Sequence, residues 1–162
     1  MPQMQLTISY WEYDLNDGAI PQDIQRLIDK SIAVREGAYA PYSRFQVGAA
    51  LLLSDGSVVT GNNQENGAYP SGLCAERVAM FYANAQYPHL SIRAIALAAG
   101  EGADLTQSPI TPCGACRQVM LESQGRQNHP IEVWMVGKNK VIKLSSVDSL
   151  MTFAFDGSSL KK

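Results

Sequence analysis

The chain has 162 residues, enough for one hydrophobic core, and its 46% hydrophobic and 17% charged residues are ordinary globular values that exclude a disordered chain. A net charge of −2, with no basic cluster interleaved with aromatics, argues against tight binding to a nucleic-acid backbone, whose affinity comes from neutralised phosphates. The composition gives no reason to invoke a membrane span, and Met1-Pro2-Gln3-Met4-Gln5 lacks the features of a secretory signal, so a cytoplasmic setting with reduced thiols is expected.

Along the chain, Leu6, Ile8, Tyr10 and Glu12 alternate with Thr7, Ser9, Trp11 and Tyr13, which suits an edge strand. Gln22 to Gly37 carries Ile24, Leu27, Ile28, Ile32 and Val34 at roughly helical spacing, with Pro21 before it and Gly37 at its end. Phe45 to Leu53 and Ser57 to Gly61 read as antiparallel strands joined at Ser54-Asp55-Gly56. Cys74 to Ala85 is predicted to be a helix whose stripe is Cys74, Val78, Phe81 or Tyr82, and Ala85. Ile92 to Ala99 is an apolar run of strand length, followed by a loop from Gly100 to Ile110. A helix from Cys113 to Ser123, strands Ile131 to Val136 and Lys140 to Leu144, and a short helix near Val147 to Met151 complete the order. Strands interleaved with helices predict an α/β layered sheet in a single domain, 1–162.

The three cysteines lie in two short phrases, Cys74-Ala75-Glu76-Arg77 and Pro112-Cys113-Gly114-Ala115-Cys116-Arg117. Structural zinc is closed by four protein ligands, whereas catalytic zinc keeps three and leaves a corner for water or substrate, so an odd count favours catalysis. Cys113 and Cys116 are three apart on a predicted helix and lie on one face, and helix N-termini stabilise thiolates. Glu76 is the carboxylate that a metal-activated water needs as proton acceptor, although residues two apart on an ideal helix point to different sides. The alternative uses of Cys-x-x-Cys are a closed zinc site completed by His89 or His129, or a redox pair. Arg117 contacts a sulfur, forms a structural ion pair or faces solvent; its position in sequence does not separate these.

A Cys/Cys/Cys set, a glutamate that is not a ligand and a Pro-Cys-x-x-Cys segment form the pattern of zinc deaminases of nucleobases. Over most of its length the chain resembles the small homotetrameric cytidine deaminases. The matching stretches are Tyr39 to Leu51 (Tyr-Ala-Pro-Tyr-Ser-Arg-Phe-Gln-Val-Gly-Ala-Ala-Leu), Asn63-Gln64-Glu65-Asn66, Cys74 to Arg77, and Pro112 to Met120. Residues 1–21 form an N-terminal extension outside the resemblance. The resemblance implies a three-layer α/β/α sandwich around a central mixed five-stranded sheet. It also implies one Zn2+ per subunit on Cys74, Cys113 and Cys116, catalysis by Glu76, and Arg77 as a guanidinium draining charge from the thiolates. Phe45, Asn63, Glu65, Ala75, Tyr69 and Phe155 are its implied substrate contacts, with Asn63 and Glu65 on the ribose hydroxyls and Phe155 entering a neighbouring subunit's site. The implied reaction is hydrolysis of cytidine and deoxycytidine to uridine and deoxyuridine with release of ammonia, in pyrimidine salvage, by a homotetramer that binds neither nucleic acid nor membrane. Competing readings are a relative acting on another aminated heterocycle, a zinc-stabilised scaffold without turnover, and a polynucleotide editor.

Overall fold

A computed structural model of the chain describes residues 1–16, 18–127, 129–157 and 160. Strands are β1 (Trp11–Asp14), β2 (Gln46–Leu53), β3 (Val58–Asn62), β4 (Ile92–Glu101), β5 (Asp104–Leu105), β6 (Glu132–Val136) and β7 (Lys140–Leu144). Helices are α1 (Gln22–Val34), α2 (Ala75–Gln86) and α3 (Gly114–Gly125), with 3-10 turns at Arg35–Gly37, Tyr69–Ser71 and Val147–Leu150.

The strands form one sheet in the order β1-β7-β6-β4-β2-β3, with β5 paired to β4. The β4–β6 pair is parallel, with Ala96 opposite Trp134, and its crossover runs through α3. The other pairs are antiparallel, so the sheet is mixed. The expected five strands are its centre; β1 and β5 extend it to seven.

Because side chains alternate across a strand, β2 sends Ala50 and Leu52 to one face and Ala49, Leu51 and Leu53 to the other. On the first face α1 packs Ile24, Leu27 and Ile28 against Ala96, Ala98 and Trp134. On the second, Met80 of α2 and Met120 of α3 pack against Leu51, Leu97 and Val133. Each large apolar side chain buried here contributes about 1.5–3 kcal/mol. The result is the expected three-layer α/β/α sandwich. Close approach of α2 to the sheet depends on Gly61, where an added Cβ would lie 2.6 Å from Ala79 N and 2.8 Å from Ala75 O.

Several element boundaries differ from expectation. Only Trp11–Asp14 of the alternating N-terminal segment forms a strand, paired with β7; residues 1–10 are exposed and carry no regular structure. The segment read as a loop from Gly100 instead extends β4 to Glu101 and turns at Gly102 (φ 56°) into β5. Buried Arg35 holds that hairpin, its Nη1 donating to Asp104 O at 3.1 Å. The stripe expected on α2 is also out of phase. Ala75, Glu76, Ala79, Met80 and Ala83 are its buried residues, while Phe81, Tyr82 and Ala85 are exposed. Cys74 lies outside the helix, so counting helical phase from it misassigns the face.

Candidate active site and metal centre

Cys74 and Cys113 are the N-cap residues of α2 and α3, both in extended conformation, and Cys116 sits in the first turn of α3. Both helices therefore begin at the same place, and their free N–H groups and positive dipole ends face three sulfurs. Cys74 Sγ lies 3.9 Å from Cys113 Sγ, and Cys113 Sγ lies 3.4 Å from Cys116 Sγ. All three sulfurs fall within 4.8 Å of one another. Tetrahedral zinc with bonds near 2.3 Å holds its sulfurs about 3.8 Å apart, so this donor set fits the ion. No histidine, aspartate or glutamate joins the group among the described residues, and His89 is an exposed residue outside it. A closed four-ligand site is therefore not formed within the described chain.

Charge at the sulfurs is unevenly held. A hydrogen bond from Cys116, followed by those from Arg77 and Cys113, lowers the Cys74 thiol to about 5. The Cys116 thiol is pushed up by that same hydrogen bond and by burial. Metal binding at such a site requires deprotonated thiols, so it is coupled to proton release. Arg77 Nη2 lies 3.6 Å from Cys74 Sγ and 3.4 Å from Gly72 O. Its guanidinium is raised above its ordinary value chiefly by Cys74, the response of a cation next to a thiolate.

Glu76 is 4% exposed, and burial raises its carboxyl, with the Cys74 charge adding to the effect. Cys116 and Arg77 act in the opposite direction, favouring its charged form. The objection from helical spacing falls away, because Cys74 has extended backbone (φ −70°, ψ 154°) and only Glu76 belongs to the helix. Arg117 makes no sulfur contact: Nε donates to Pro112 O at 2.8 Å and Nη1 to Leu150 O at 3.2 Å, tying the start of α3 to the C-terminal turn.

A cavity of about 520 Å3 opens beside Cys74 and Arg77, and Asn63, Glu65 and Tyr69 line it. Tyr42 and Ser43 line it too; they lie inside the Tyr39–Leu51 motif, but no chemistry in their residue types marked them as site residues. Tyr69 stands exposed on its 3-10 turn, in edge contact with Tyr42 at 5.9 Å between ring centroids. Phe45 is 42% exposed and is held through its backbone, its carbonyl accepting from Asn63 Nδ2 at 2.9 Å. Ala75 is fully buried with its methyl in the core, which leaves its backbone N–H, at the helix start, as the group able to meet a ligand. Phe155 is not brought to this cavity. It is 60% exposed, its carbonyl accepts from Gln118 Nε2 at 2.8 Å, and it lines a separate hollow beside α3.

Residues 21–129 match the family described as the cytidine and deoxycytidylate deaminase zinc-binding region. The chain belongs to this family. It is a zinc-dependent hydrolytic deaminase, and Cys74, Cys113 and Cys116 fit one Zn2+ per subunit. Among curated proteins, it is 54% identical over 100 residues to a cytidine deaminase of Halalkalibacterium halodurans, covering 62% of this chain and 71% of the relative. It is 41% identical over 133 residues to one from Sporosarcina psychrophila, covering 82% and 91%. Among solved structures, the cytidine deaminase of Burkholderia pseudomallei superposes with a TM-score of 0.67 at 42% identity, covering 80% of this chain and 97% of that one. That of Mycobacterium tuberculosis superposes with a TM-score of 0.65 at 31% identity, covering 83% and 98%.

Proposed function

We propose that this deaminase converts cytidine and deoxycytidine to uridine and deoxyuridine with release of ammonia, in cytoplasmic pyrimidine salvage. The observation that carries the reading is a group of three sulfurs at zinc-binding separations, beside an open cavity of nucleoside size, with the buried carboxyl of Glu76 in the first turn of the helix that Cys74 caps. Bound zinc supplies the Lewis acidity that lets a water ionise near neutral pH. Glu76 would accept a proton from the attacking water as the water oxygen adds to C4 of the cytosine ring, and pass that proton to ring N3. The second proton of the attacking oxygen returns through Glu76 to the exocyclic nitrogen, the C4–N bond breaks, and ammonia leaves. Burial keeps the carboxyl basic enough to hold each proton between transfers. Arg77 offsets the negative charge of the thiolates.

Asn63 and Glu65 hold the sugar hydroxyls, Phe45 and the Ala75 N–H border the base, and Tyr69 stands at the rim. Phe155 reaches a neighbouring subunit's site in a homotetramer. Its exposure and its distance from the cavity of its own chain support that assignment, as do exposed Tyr69, Phe81, Tyr82 and Phe153. A nucleoside rather than a polynucleotide is supported by the lysines near the C-terminus, since Lys138, Lys140 and Lys143 each pair with a carboxylate. No helix among the described residues is long and apolar enough to cross a membrane.

The test is the ultraviolet absorbance change of cytidine with zinc-quantified protein, run beside Glu76→Gln. Conversion by the parent alone supports the reading. No conversion by protein carrying one zinc per chain would overturn the substrate and direct the search to other aminated heterocycles.

A further inference from the structure

The turn Tyr42–Val47, at the rim of the cavity, is held by residues that also face the cavity. Arg44 adopts a left-handed backbone (φ 59°), a conformation a non-glycine residue keeps only where its surroundings over-determine it. Those surroundings are two side chains from the segment after β3. Asn63 Oδ1 accepts from Val47 N at 2.7 Å and Asn63 Nδ2 donates to Phe45 O at 2.9 Å. Glu65 Oε2 accepts from Tyr42 N at 2.9 Å and from Ser43 N at 3.3 Å, and Glu65 Oε1 accepts from the Ser43 hydroxyl. The same hydroxyl oxygen accepts from Phe45 N at 3.0 Å, so Ser43 ties the carboxylate to the backbone that presents Phe45.

An ionised carboxylate offers about four acceptor directions. Three of those on Glu65 are filled by Tyr42 and Ser43, which leaves one, on Oε1. We propose that Ser43 is a positioning residue for nucleoside recognition: its hydroxyl pins Glu65 Oε1 so that a single remaining lone pair faces the cavity and accepts one sugar hydroxyl. The proposal rests on the sugar-contact role of Glu65 given above. Its carboxyl is held below the usual range, first by the Ser43 hydroxyl and then by the Tyr42 N–H, which keeps it an acceptor. Loss of the Ser43 hydroxyl frees Glu65 Oε1 to turn toward solvent. The Phe45 N–H is at the surface, where water replaces its partner.

The experiment compares KM and kcat for cytidine and for 2′,3′-dideoxycytidine, which lacks both ring hydroxyls, using zinc-loaded parent, Ser43→Ala, Ser43→Thr and Glu65→Ala. Ser43→Ala is expected to raise KM for cytidine about tenfold, the loss of one hydrogen bond to a charged group, with kcat within about twofold. KM for the dideoxy compound stays unchanged, and Ser43→Thr, which keeps the hydroxyl, restores the parent value. An unchanged KM for cytidine, or an equal rise for both compounds, overturns the role of Ser43. Glu65→Ala is expected to narrow the parent's preference for cytidine at least about tenfold, Asn63 keeping the remainder; if the preference stays at the parent value, the sugar-contact reading of Glu65 itself falls, and the role of Ser43 with it.

Discussion

On one face of the sheet, α1 does the work of a cover. It begins after Pro21, which makes no side-chain cap, and it buries Ile24, Leu27 and Ile28. On the other face, α2 and α3 bury an equivalent apolar stripe, yet they begin at Cys74 and Cys113 in extended conformation, with Glu76 and Cys116 in their first turns. Both faces must bury the apolar side of the sheet, one with a single helix and the other with two, and the difference that bears on the site lies at the helix starts. Two helices that converge at their N-termini bring free N–H groups and positive dipole ends to one point, where thiolates are stabilised. A cover helix needs no such convergence.

The comparison can be broken most severely at a ligand. Cys113→Ala is expected to lose both the metal and all measurable deamination, read by metal content per chain and by absorbance; a full zinc complement in that variant would show the ligand set to be wrong. Glu76→Gln keeps shape and ligands while removing proton transfer. Its kcat is expected to fall by roughly 10²–10⁴-fold with zinc content unchanged, and parent-like turnover would rule out the carboxyl as proton carrier. Arg77→Ala acts one step further from the reaction and is expected to reduce activity or zinc affinity about 10–100-fold, measured by titration with a competing chelator. If neither changes, Arg77 only braces Gly72. On the opposite face, Leu27→Ala is expected to cost about 2–5 kcal/mol of stability in denaturant unfolding while zinc content and KM stay at parent values. A change in KM there would mean that the two faces are coupled through the sheet.

The ordering of strands and helices was legible because the apolar residues fall into clear patterns: near-continuous apolar runs of strand length in β2 and β4, and the three- and four-residue spacing of α1. The cysteines were legible for a different reason, since only a few residue types bind zinc and their count of three leaves a corner open. The α2 stripe was not, because local propensity does not reveal that Cys74 is the cap rather than the first helical residue, and one residue moves the phase by 100°. Nor was β5 visible, because two residues make no pattern and depend on Arg35 and β4 for their partners. Residues 6–10 alternate as a strand should but pair with no neighbouring strand among the described residues, and without one alternation does not make a sheet.

Ser43 marks the same boundary inside the site. A serine in a loop has no chemistry of its own in the sequence, and its importance arises when the chain folds Glu65 against it. The sequence by itself determined which residues are candidates for metal ligand and proton carrier and the layered α/β plan, because these depend on residue identity and on short-range periodicity. Tertiary structure alone decided that Glu76 is buried, that Arg117 serves the backbone while Arg77 serves Cys74, and that Phe155 lies away from the cavity of its own chain. Each of these is a distance between residues far apart in sequence or on different elements, and only packing sets such distances.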